Sequence, residues 1–266
     1  MRTHYVVVLL TLALLAVASV AYGEDTFVPC PGGPSKGGQM TLTADLVCTG
    51  STLMLDSAQV NLNGHAVICP PPDRRCVQMT GKGSVLGNGT VRGQLETLAL
   101  EGEGHHLVLN LNVTPSDGAI LVTTSHNTMV NVRATSSNSP GLRVMGSHNI
   151  LVGITAICPV VVAGGCLDLV GEHNVVSGSA IWVSEDDLLG FNGALRVTGD
   201  HNVVRSSYVT NADGPAVVIE AGSELNLIER NVLTGATVDA RDLTGDCVSN
   251  TWRGNVLDSA EPSCLL

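Results

Sequence analysis

GLRVMGSHNILV, at residues 141–152, contains the pattern that decides the fold of this chain. An apolar run with polar residues at alternate positions leads into a turn with a His-Asn pair, and a second apolar run follows. A fixed period of this size, with short strands inside each unit, indicates a solenoid. The turn recurs at steps of 22 to 28 residues, as Ser125-His126-Asn127, Ser147-His148-Asn149, Glu172-His173-Asn174 and Asp200-His201-Asn202, and continues without His at Leu225-Asn226 and Ser249-Asn250.

The apolar runs have the alternation of β-strands. Residues 166–171 and 194–199 repeat the pattern of residues 141–146. Period two with many β-branched residues predicts strands of about six residues, and no segment has the 3.6-residue period of an amphipathic helix. The sequence therefore predicts an all-β, single-stranded parallel β-helix (solenoid) of roughly nine coils between Thr41 and Leu257, with alternate apolar residues filling the bore.

The recurrent Asn predicts a hydrogen-bonded seam along this solenoid. With one Asn in each coil, its side chain can bond the backbone of its own turn and the equivalent Asn above and below. A second polar column predicts another ladder five residues later, at Ser179, Ser207, Asn231 and Asn255.

Histidines occupy the position before the recurrent Asn. A metal array or a proton relay is conceivable for such a column, but metal ligation would also need carboxylates that converge from another element. We therefore expect the imidazoles to satisfy the turn and to stack on each other. The column contains His105 or His106, His126, His148, His173 and His201.

Two segments near the N-terminus carry a family resemblance. Residues 62–68, LNGHAVI, followed by residues 87–93, GNGTVRG, resemble the opening coils of right-handed parallel β-helix proteins of the pectin-lyase-like superfamily, in particular the NosD-type, carbohydrate-associated repeat group. The likeness covers about residues 41–257. It implies a right-handed β-helix, but it specifies activity poorly, because this superfamily includes lyases, hydrolases, epimerases and non-catalytic proteins.

The catalytic motifs of that superfamily are largely missing from this chain. Of the motifs of polygalacturonase-like enzymes, only Asp186-Asp187 is present. The Asp-Pro-His-Asp motif of mannuronan epimerases is absent. A calcium-binding cluster with a nearby arginine base, as in pectate lyases, is not recognisable. These absences favour a non-catalytic protein.

The N-terminus predicts secretion. Arg2 precedes the apolar run at residues 6–20, and residues 21–23 supply a plausible cleavage point, so we expect a signal peptide at residues 1–23 and one β-helix domain at residues 24–266. An uncleaved anchor is the alternative. The location expected is extracellular or cell wall, with no membrane partner after cleavage. The formal net charge of −11 disfavours nucleic acid, anionic membranes and uronic-acid polymers.

The cysteines and two sequons agree with an oxidising compartment. An even cysteine count behind a signal peptide predicts disulfides, and the order of a solenoid favours pairing between sequence neighbours, although for Cys30, Cys48, Cys247 and Cys264 local pairing stays open. The predicted pairs are Cys30–Cys48, Cys69–Cys76, Cys158–Cys166 and Cys247–Cys264. N-glycosylation in a eukaryotic host is predicted at Asn88 and Asn112.

A column of charged residues lies six residues before the recurrent Asn. Each member lies between apolar neighbours that face the bore, so we expect it to face outward, where alternating charges form a favourable cross-strand ladder. The functional alternative is a ligand-binding face of Arg143, Asp168, Arg196 and Glu220, with Asp168 as the acid or base. The column reads Leu121, Arg143, Asp168, Arg196, Glu220 and Thr244.

Two insertions precede strands of this column, at residues 158–166 and 182–192. Insertions at one junction of a repeat often mark its binding face. The second insertion contains two aromatics, Trp182 and Phe191, and an aromatic platform beside carboxylates suits a sugar ring. Alternatively, the three acids of this insertion bind a Ca²⁺ ion as a cofactor. A third interpretation is a solvated acidic loop without a ligand. These acids are Glu185, Asp186 and Asp187.

The function predicted is a secreted β-helix that binds extracellular polysaccharide without catalysis, as a glycan-binding or matrix protein. The alternative is a polysaccharide lyase, glycoside hydrolase or epimerase with a groove near Asp168 and the Asp186-Asp187 pair. An ice-binding solenoid would need a flat, regular threonine face, and no such column is recognisable in the sequence.

Overall fold

The computed structural model describes residues 30–71, 75–114, 117–137, 140–159, 164–184, 193–245 and 248–265. These residues form short strands and turns, with a 3₁₀ turn at Ser263–Leu265. The strands, in chain order, are β1 (Gln39–Thr41), β2 (Leu46–Val47), β3 (Leu53–Asp56), β4 (Gln59–Asn61), β5 (Ala66–Ile68), β6 (Val77–Thr80), β7 (Val85–Arg92), β8 (Leu98–Leu100), β9 (Leu107–Thr114), β10 (Ile120–Val122), β11 (Thr128–Thr135), β12 (Leu142–Val144), β13 (Ile150–Val152), β14 (Thr155–Cys158), β15 (Leu167–Val170), β16 (Val175–Ser177), β17 (Ala180–Val183), β18 (Leu195–Thr198), β19 (Val203–Arg205), β20 (Tyr208–Asn211), β21 (Val217–Ile219), β22 (Leu227–Glu229), β23 (Val232–Gly235), β24 (Ala240–Asp242), β25 (Thr251–Arg253) and β26 (Ala260–Glu261).

The strands stack into a parallel β-solenoid of about 9 turns, as predicted. Face A is a separate 10-stranded sheet in the order β3-β6-β8-β10-β12-β15-β18-β21-β24-β26. Face B runs β1-β4-β7-β9-β11-β13-β16-β19-β22-β25. Face C runs β2-β5-β7-β9-β11-β14-β17-β20-β23 and is continuous with face B, because the long strands β7, β9 and β11 belong to both.

Each coil therefore has three connections. The His-Asn turn joins face A to face B and is called the A–B turn. The bend between faces B and C is a single residue with positive φ in the long strands, namely Asn88, Asn110 and Asn131 at 62°, 49° and 54°. The variable loop that joins face C to the next face A strand, called the C–A loop, contains both predicted insertions.

The bore is filled by the alternate residues of each strand. On face A, Leu142, Leu167 and Leu195 are stacked in register and fully buried. Their neighbours along each strand point out of the bore. Parallel in-register stacking repeats each environment at the strand spacing of about 4.8 Å, so one apolar residue type serves many coils. Buried Leu, Val and Ile form one continuous core from the first coils to the last.

The recurrent Asn residues form the predicted ladder inside the A–B turns. The backbone N–H of Asn127 donates to Oδ1 of Asn149 over 2.9 Å, and Asn149 donates in the same way to Asn174 over 3.0 Å. The side-chain amides of both also donate to the next Oδ1. The ladder continues through Asn202 and Asn226 to Asn250. Its members are buried, so these bonds supply partners to polar groups that water does not reach.

His106, not His105, occupies the ladder position in the preceding coil. Its backbone N–H donates to Oδ1 of Asn127 over 2.9 Å, and its Nδ1 accepts from the N–H of Ser84 over 3.2 Å. Its Nε2 lies 2.6 Å from the carbonyl of Glu101 and must be the protonated nitrogen, since Nδ1 is the acceptor. Burial lowers the pKa of His106, against the raising effect of the bond to Glu101.

The second predicted ladder is also present, at the start of face C. The N–H of Ser179 donates to Oγ of Ser207 over 3.2 Å, and the N–H of Ser207 donates to Oδ1 of Asn231 over 2.9 Å. Asn231 in turn donates to Asn255 over 3.0 Å. Two buried polar seams thus run beside the apolar bore and fix the register of faces B and C.

The disulfides agree with the predicted pairing where the chain is described. Cys30–Cys48, Cys69–Cys76 and Cys158–Cys166 are bonded. The last two close C–A loops on their own coil. Cys264 is also in a disulfide, whereas Cys247 lies outside the described residues. The predicted signal peptide lies outside them as well. Within the described ranges, no helix is long and apolar enough to cross a membrane.

Replacing Asn174 by Ala tests the ladder. The variant removes the acceptor of both the N–H and the side-chain amide of Asn149, which are buried. A buried polar group without a partner costs about 1–3 kcal/mol, so we expect the free energy of unfolding to fall by at least about 2 kcal/mol in urea denaturation.

The matched control is Asn131→Gly. Asn131 is exposed at the B–C bend, and glycines with positive φ occupy this bend at positions 153 and 178. Removal of the Asn131 side chain should change the free energy of unfolding by less than about 0.5 kcal/mol. Equal losses in the two variants would contradict a special role for the buried ladder.

Candidate functional site

The charged residues of face A form an outward column, but its register differs from the prediction after Arg196. Arg143 pairs with Asp168, and Asp168 pairs with Arg196, as expected. On the next strands, the residue aligned with Arg196 is Val218, and the residue aligned with Val218 is Arg241. The prediction that Glu220 and Thr244 belong to this column was therefore wrong. The A–B turn after β21 is two residues longer than the turn after β18, which shifts any alignment made on the recurrent Asn.

Glu220 nevertheless reaches the column from the side. Its Oε1 accepts a hydrogen bond from Nε of Arg196 over 2.6 Å. Arg143 Nε lies 3.3 Å from Oδ2 of Asp168, and Arg196 Nη1 lies 3.9 Å from Oδ1. The structure therefore brings all four predicted residues together as one ion-paired cluster.

Asp168 itself does not face solvent, contrary to expectation. Its side chain points out of the bore but is only 1% exposed, whereas that of Arg143 is 48% exposed. Gly164, near the end of the first insertion, lies against it. A Cβ atom placed on this glycine would be only 3.1 Å from Oδ2 of Asp168. Burial raises the pKa of Asp168, while Arg143 and Arg196 oppose that shift and Glu220 adds to it. Its Oδ1 is buried and has no hydrogen-bond partner among the described residues.

A second charged cluster on face A escaped the sequence analysis. Arg75, in the first disulfide-closed C–A loop, donates from Nε to Glu96 over 3.1 Å and from Nη1 to Glu101 over 2.7 Å. Gln78 also donates to Glu101. Glu101 follows the buried Leu98–Leu100 strand and could have been placed on face A from that alternation. Arg75 reaches it only through the path of its loop.

The second insertion starts at the edge of face C. Trp182 lies on β17, pairs with Ile157 and Thr210, and is 39% exposed. Asp168 belongs to face A, so the C–A corner separates these two side chains. Glu185, Asp186, Asp187 and Phe191 lie outside the described residues, and the Ca²⁺ hypothesis on these acids stays a prediction.

The histidine column is stacked as predicted. His105, His126, His148, His173 and His201 have ring centroids 4.7 to 5.0 Å apart and nearly parallel planes. No metal-type cluster of His, Cys, Asp and Glu occurs among the described residues.

The two sequons occupy different environments. Asn88 is exposed at a B–C bend, where its Nδ2 donates to Asn61 and its Oδ1 accepts from Asn110. Asn112 lies within β9 between Thr90 and Arg133, and its Oδ1 is buried. Of the two, Asn88 has the position that a glycan would need.

The C-terminal end of the bore opens into a cavity of about 470 Å³, lined by residues that include Trp252, Leu257 and Leu265. Asp242 is buried beside it at an inward position. Its carboxylate accepts from the indole N–H of Trp252 over 3.1 Å and from the side chains of Asn250 and Thr244. The carboxylate of Asp242 therefore has a structural role, in which it links these three side chains of the last coil.

Comparisons with known proteins agree with this fold. The family described as right handed beta helix region matches residues 96–257. The crystal structure of the enzymatically active domain of tailspike protein 2 from bacteriophage CBA120 matches 84% of this chain with a TM-score of 0.65 and 12% sequence identity, and the match covers 41% of that structure. No curated protein matches the sequence. The likeness to the tailspike shows the fold alone, and the family match leads to one conclusion: the chain belongs to the right-handed parallel β-helix family.

Proposed function

We propose that this protein is secreted and binds extracellular polysaccharide without catalysing a reaction on it. The predicted signal peptide and the disulfides support an oxidising, extracellular compartment. A β-helix offers long, flat, rigid faces, which suit an extended polymer more than a small compact ligand. The tailspike domain that shares the fold is described as enzymatically active, so the fold itself does not separate binding from catalysis.

The observation that carries the proposal is the exposure of Trp182. This side chain is 39% exposed on strand β17, at the start of the second insertion. A large aromatic ring at the surface of a strand has no core to fill, and its flat face can stack on the apolar face of a sugar ring. Its position on a strand holds the ring in place before the ligand arrives, which reduces the entropy lost on binding.

The state of the charged groups favours binding over catalysis. A general acid or base must reach the atom that it protonates or deprotonates. Asp168 is buried beside the end of the first insertion. Arg143 and Arg196 both form ion pairs with it, and Arg196 forms a second one with Glu220. Paired charges of this kind on adjacent strands are the arrangement expected of a structural ion-pair ladder. The Asp186-Asp187 pair lies outside the described residues and stays the other catalytic candidate.

Trp182→Ala tests the binding proposal. We expect the wild-type protein to bind at least one polysaccharide in affinity electrophoresis, and the variant to bind it at least about tenfold more weakly, because stacking on an aromatic ring is worth about 1.4 kcal/mol or more. Met145→Ala, which removes a similarly exposed side chain directly after face A strand β12, should bind as the wild type does. Wild-type binding to no polysaccharide would refute the proposed function.

Asp168→Asn and Asp187→Ala test the catalytic alternative. We expect no release of reducing ends or unsaturated sugars from any polysaccharide that the wild-type protein binds. Turnover by the wild type that either variant abolishes would establish an enzyme and overturn the non-catalytic proposal.

The buried carboxyl of Asp168 also predicts a pH dependence of stability. Its raised folded-state pKa means that the folded protein holds this proton to higher pH than the unfolded chain does, so the stability linked to it is present at low pH. That stability is lost as the pH rises from about 4 through the raised pKa.

Asp168→Asn stays neutral throughout this range. In urea denaturation from about pH 3.5 to pH 7, the free energy of unfolding of the variant should therefore rise relative to that of the wild type. Glu224→Gln, at an exposed position in an A–B turn, serves as the control. A difference between Asp168→Asn and the wild type that stays constant with pH would contradict the burial of a titrating carboxyl.

A further inference from the structure

The register of face C places a second exposed aromatic next to Trp182. Tyr208 on β20 is 43% exposed and pairs with Ala180, and Trp182 pairs with Thr210, so the two aromatics are diagonal neighbours on adjacent strands. A strand spacing of about 4.8 Å and a two-residue rise of about 6.6 Å put their Cβ atoms about 8 Å apart. Both rings project outward, because Ile181 and Val209 beside them are fully buried in the bore.

The side chains around the two rings are hydroxylic or aliphatic. In one outward column the strands β14, β17, β20 and β23 present Thr155, Ala180, Tyr208 and Val232. In the other they present Ile157, Trp182, Thr210 and Thr234. These eight residues are called the face C strip, and each of them is at least partly exposed.

The strip has no charged member, although the chain carries a net charge of −11. Arg133 borders it in the preceding coil, where it pairs with Thr155, and Arg230 borders it at the B–C bend. By contrast, the outward column of face A contains Arg143, Asp168 and Arg196 in succession. An uncharged surface with aromatic rings and hydroxyl groups matches a ligand that also combines apolar faces with hydroxyl groups and has no charge to pair.

Shape adds to the chemical argument. Four neighbouring strands span about 15 Å across the strip, which exceeds the width of one sugar ring. The described strands of the strip form an extended sheet surface, along which a polymer chain can lie. Face B has the same flatness and also carries hydroxyl groups, at Thr128 and Ser177. Its outward column continues from Ser177 into three charged residues, which the face C strip does not have. These residues are Arg205, Glu229 and Arg253.

We propose that the face C strip is the binding site of a neutral polysaccharide chain, stacked on Trp182 and Tyr208 and hydrogen-bonded by the threonine hydroxyls beside them. This inference rests on the proposed polysaccharide-binding function and gives it a location and a ligand class. The site lies on the opposite side of the C–A corner from the charged cluster of face A. Tyr208, which no motif indicated, becomes a binding residue equal in weight to Trp182.

The experiment compares variants that preserve the strand. Tyr208→Thr, Trp182→Thr and the double variant introduce the β-branched residue that already neighbours them in the strip. Ile150→Thr is the control, since it introduces the same residue at a side chain that is 45% exposed on face B. Binding is measured by affinity electrophoresis and by pull-down on neutral polymers (cellulose, mixed-linkage β-glucan, dextran) and acidic ones (polygalacturonate, alginate), with circular dichroism as the folding check.

We expect wild-type binding to at least one neutral polymer and weaker or no binding to the acidic ones. Each single variant should lose about tenfold in affinity and the double variant more, while Ile150→Thr stays within about twofold of the wild type. A folded double variant that binds as the wild type does would refute the strip while leaving polysaccharide binding intact. Binding to the acidic polymers alone would refute the ligand class, and wild-type binding to no polymer would refute the proposed function together with this site.

Discussion

The hydrogen bond from one coil's backbone to the Asn side chain of the next is the interaction on which this structure depends. An apolar bore sets the spacing of coils only loosely, because Val, Leu and Ile pack in many registers. The amide side chain adds direction and exact partners. Asn149 must meet Asn174 and no other residue, or buried donors are left unpaired. The face C strip inherits its alignment from this seam, whereas the pairing of the face A strands sets the alignment of the charged cluster.

The fold could be read from the sequence because the seam is itself a sequence feature. The Asn that recurs from Asn127 to Asn250, with a His before it in four of these coils and alternating apolar residues on either side, specifies strand, turn and stacking together. The histidine stack and the second polar ladder followed from the same register. His106 shows the limit of that reading: it takes a ladder position that Asn fills in later coils, and its two ring nitrogens do so with different partners.

The candidate site was less predictable, since it depends on loop paths and turn lengths. Glu220 was placed two residues out of register because its A–B turn is longer than the one before, and only strand pairing reveals that. Asp168 is buried, and Gly164 lies against its carboxylate; a glycine has no side chain from which this contact could be predicted. Tyr208 could have been found: Ser179 and Ser207 are ladder partners, so the residues that follow them, Ala180 and Tyr208, must also be neighbours.

The direction of the hydrogen bonds in the Asn ladder has a consequence for the partly folded solenoid. Each backbone N–H donates toward the C-terminus, from Asn127 to Asn149 and onward to Asn250. A coil whose C-terminal neighbour has not yet folded onto it therefore has a ladder N–H without an acceptor, and a coil whose N-terminal neighbour is missing has an Oδ1 without a donor. The two ends of a partly folded solenoid consequently have opposite hydrogen-bonding character.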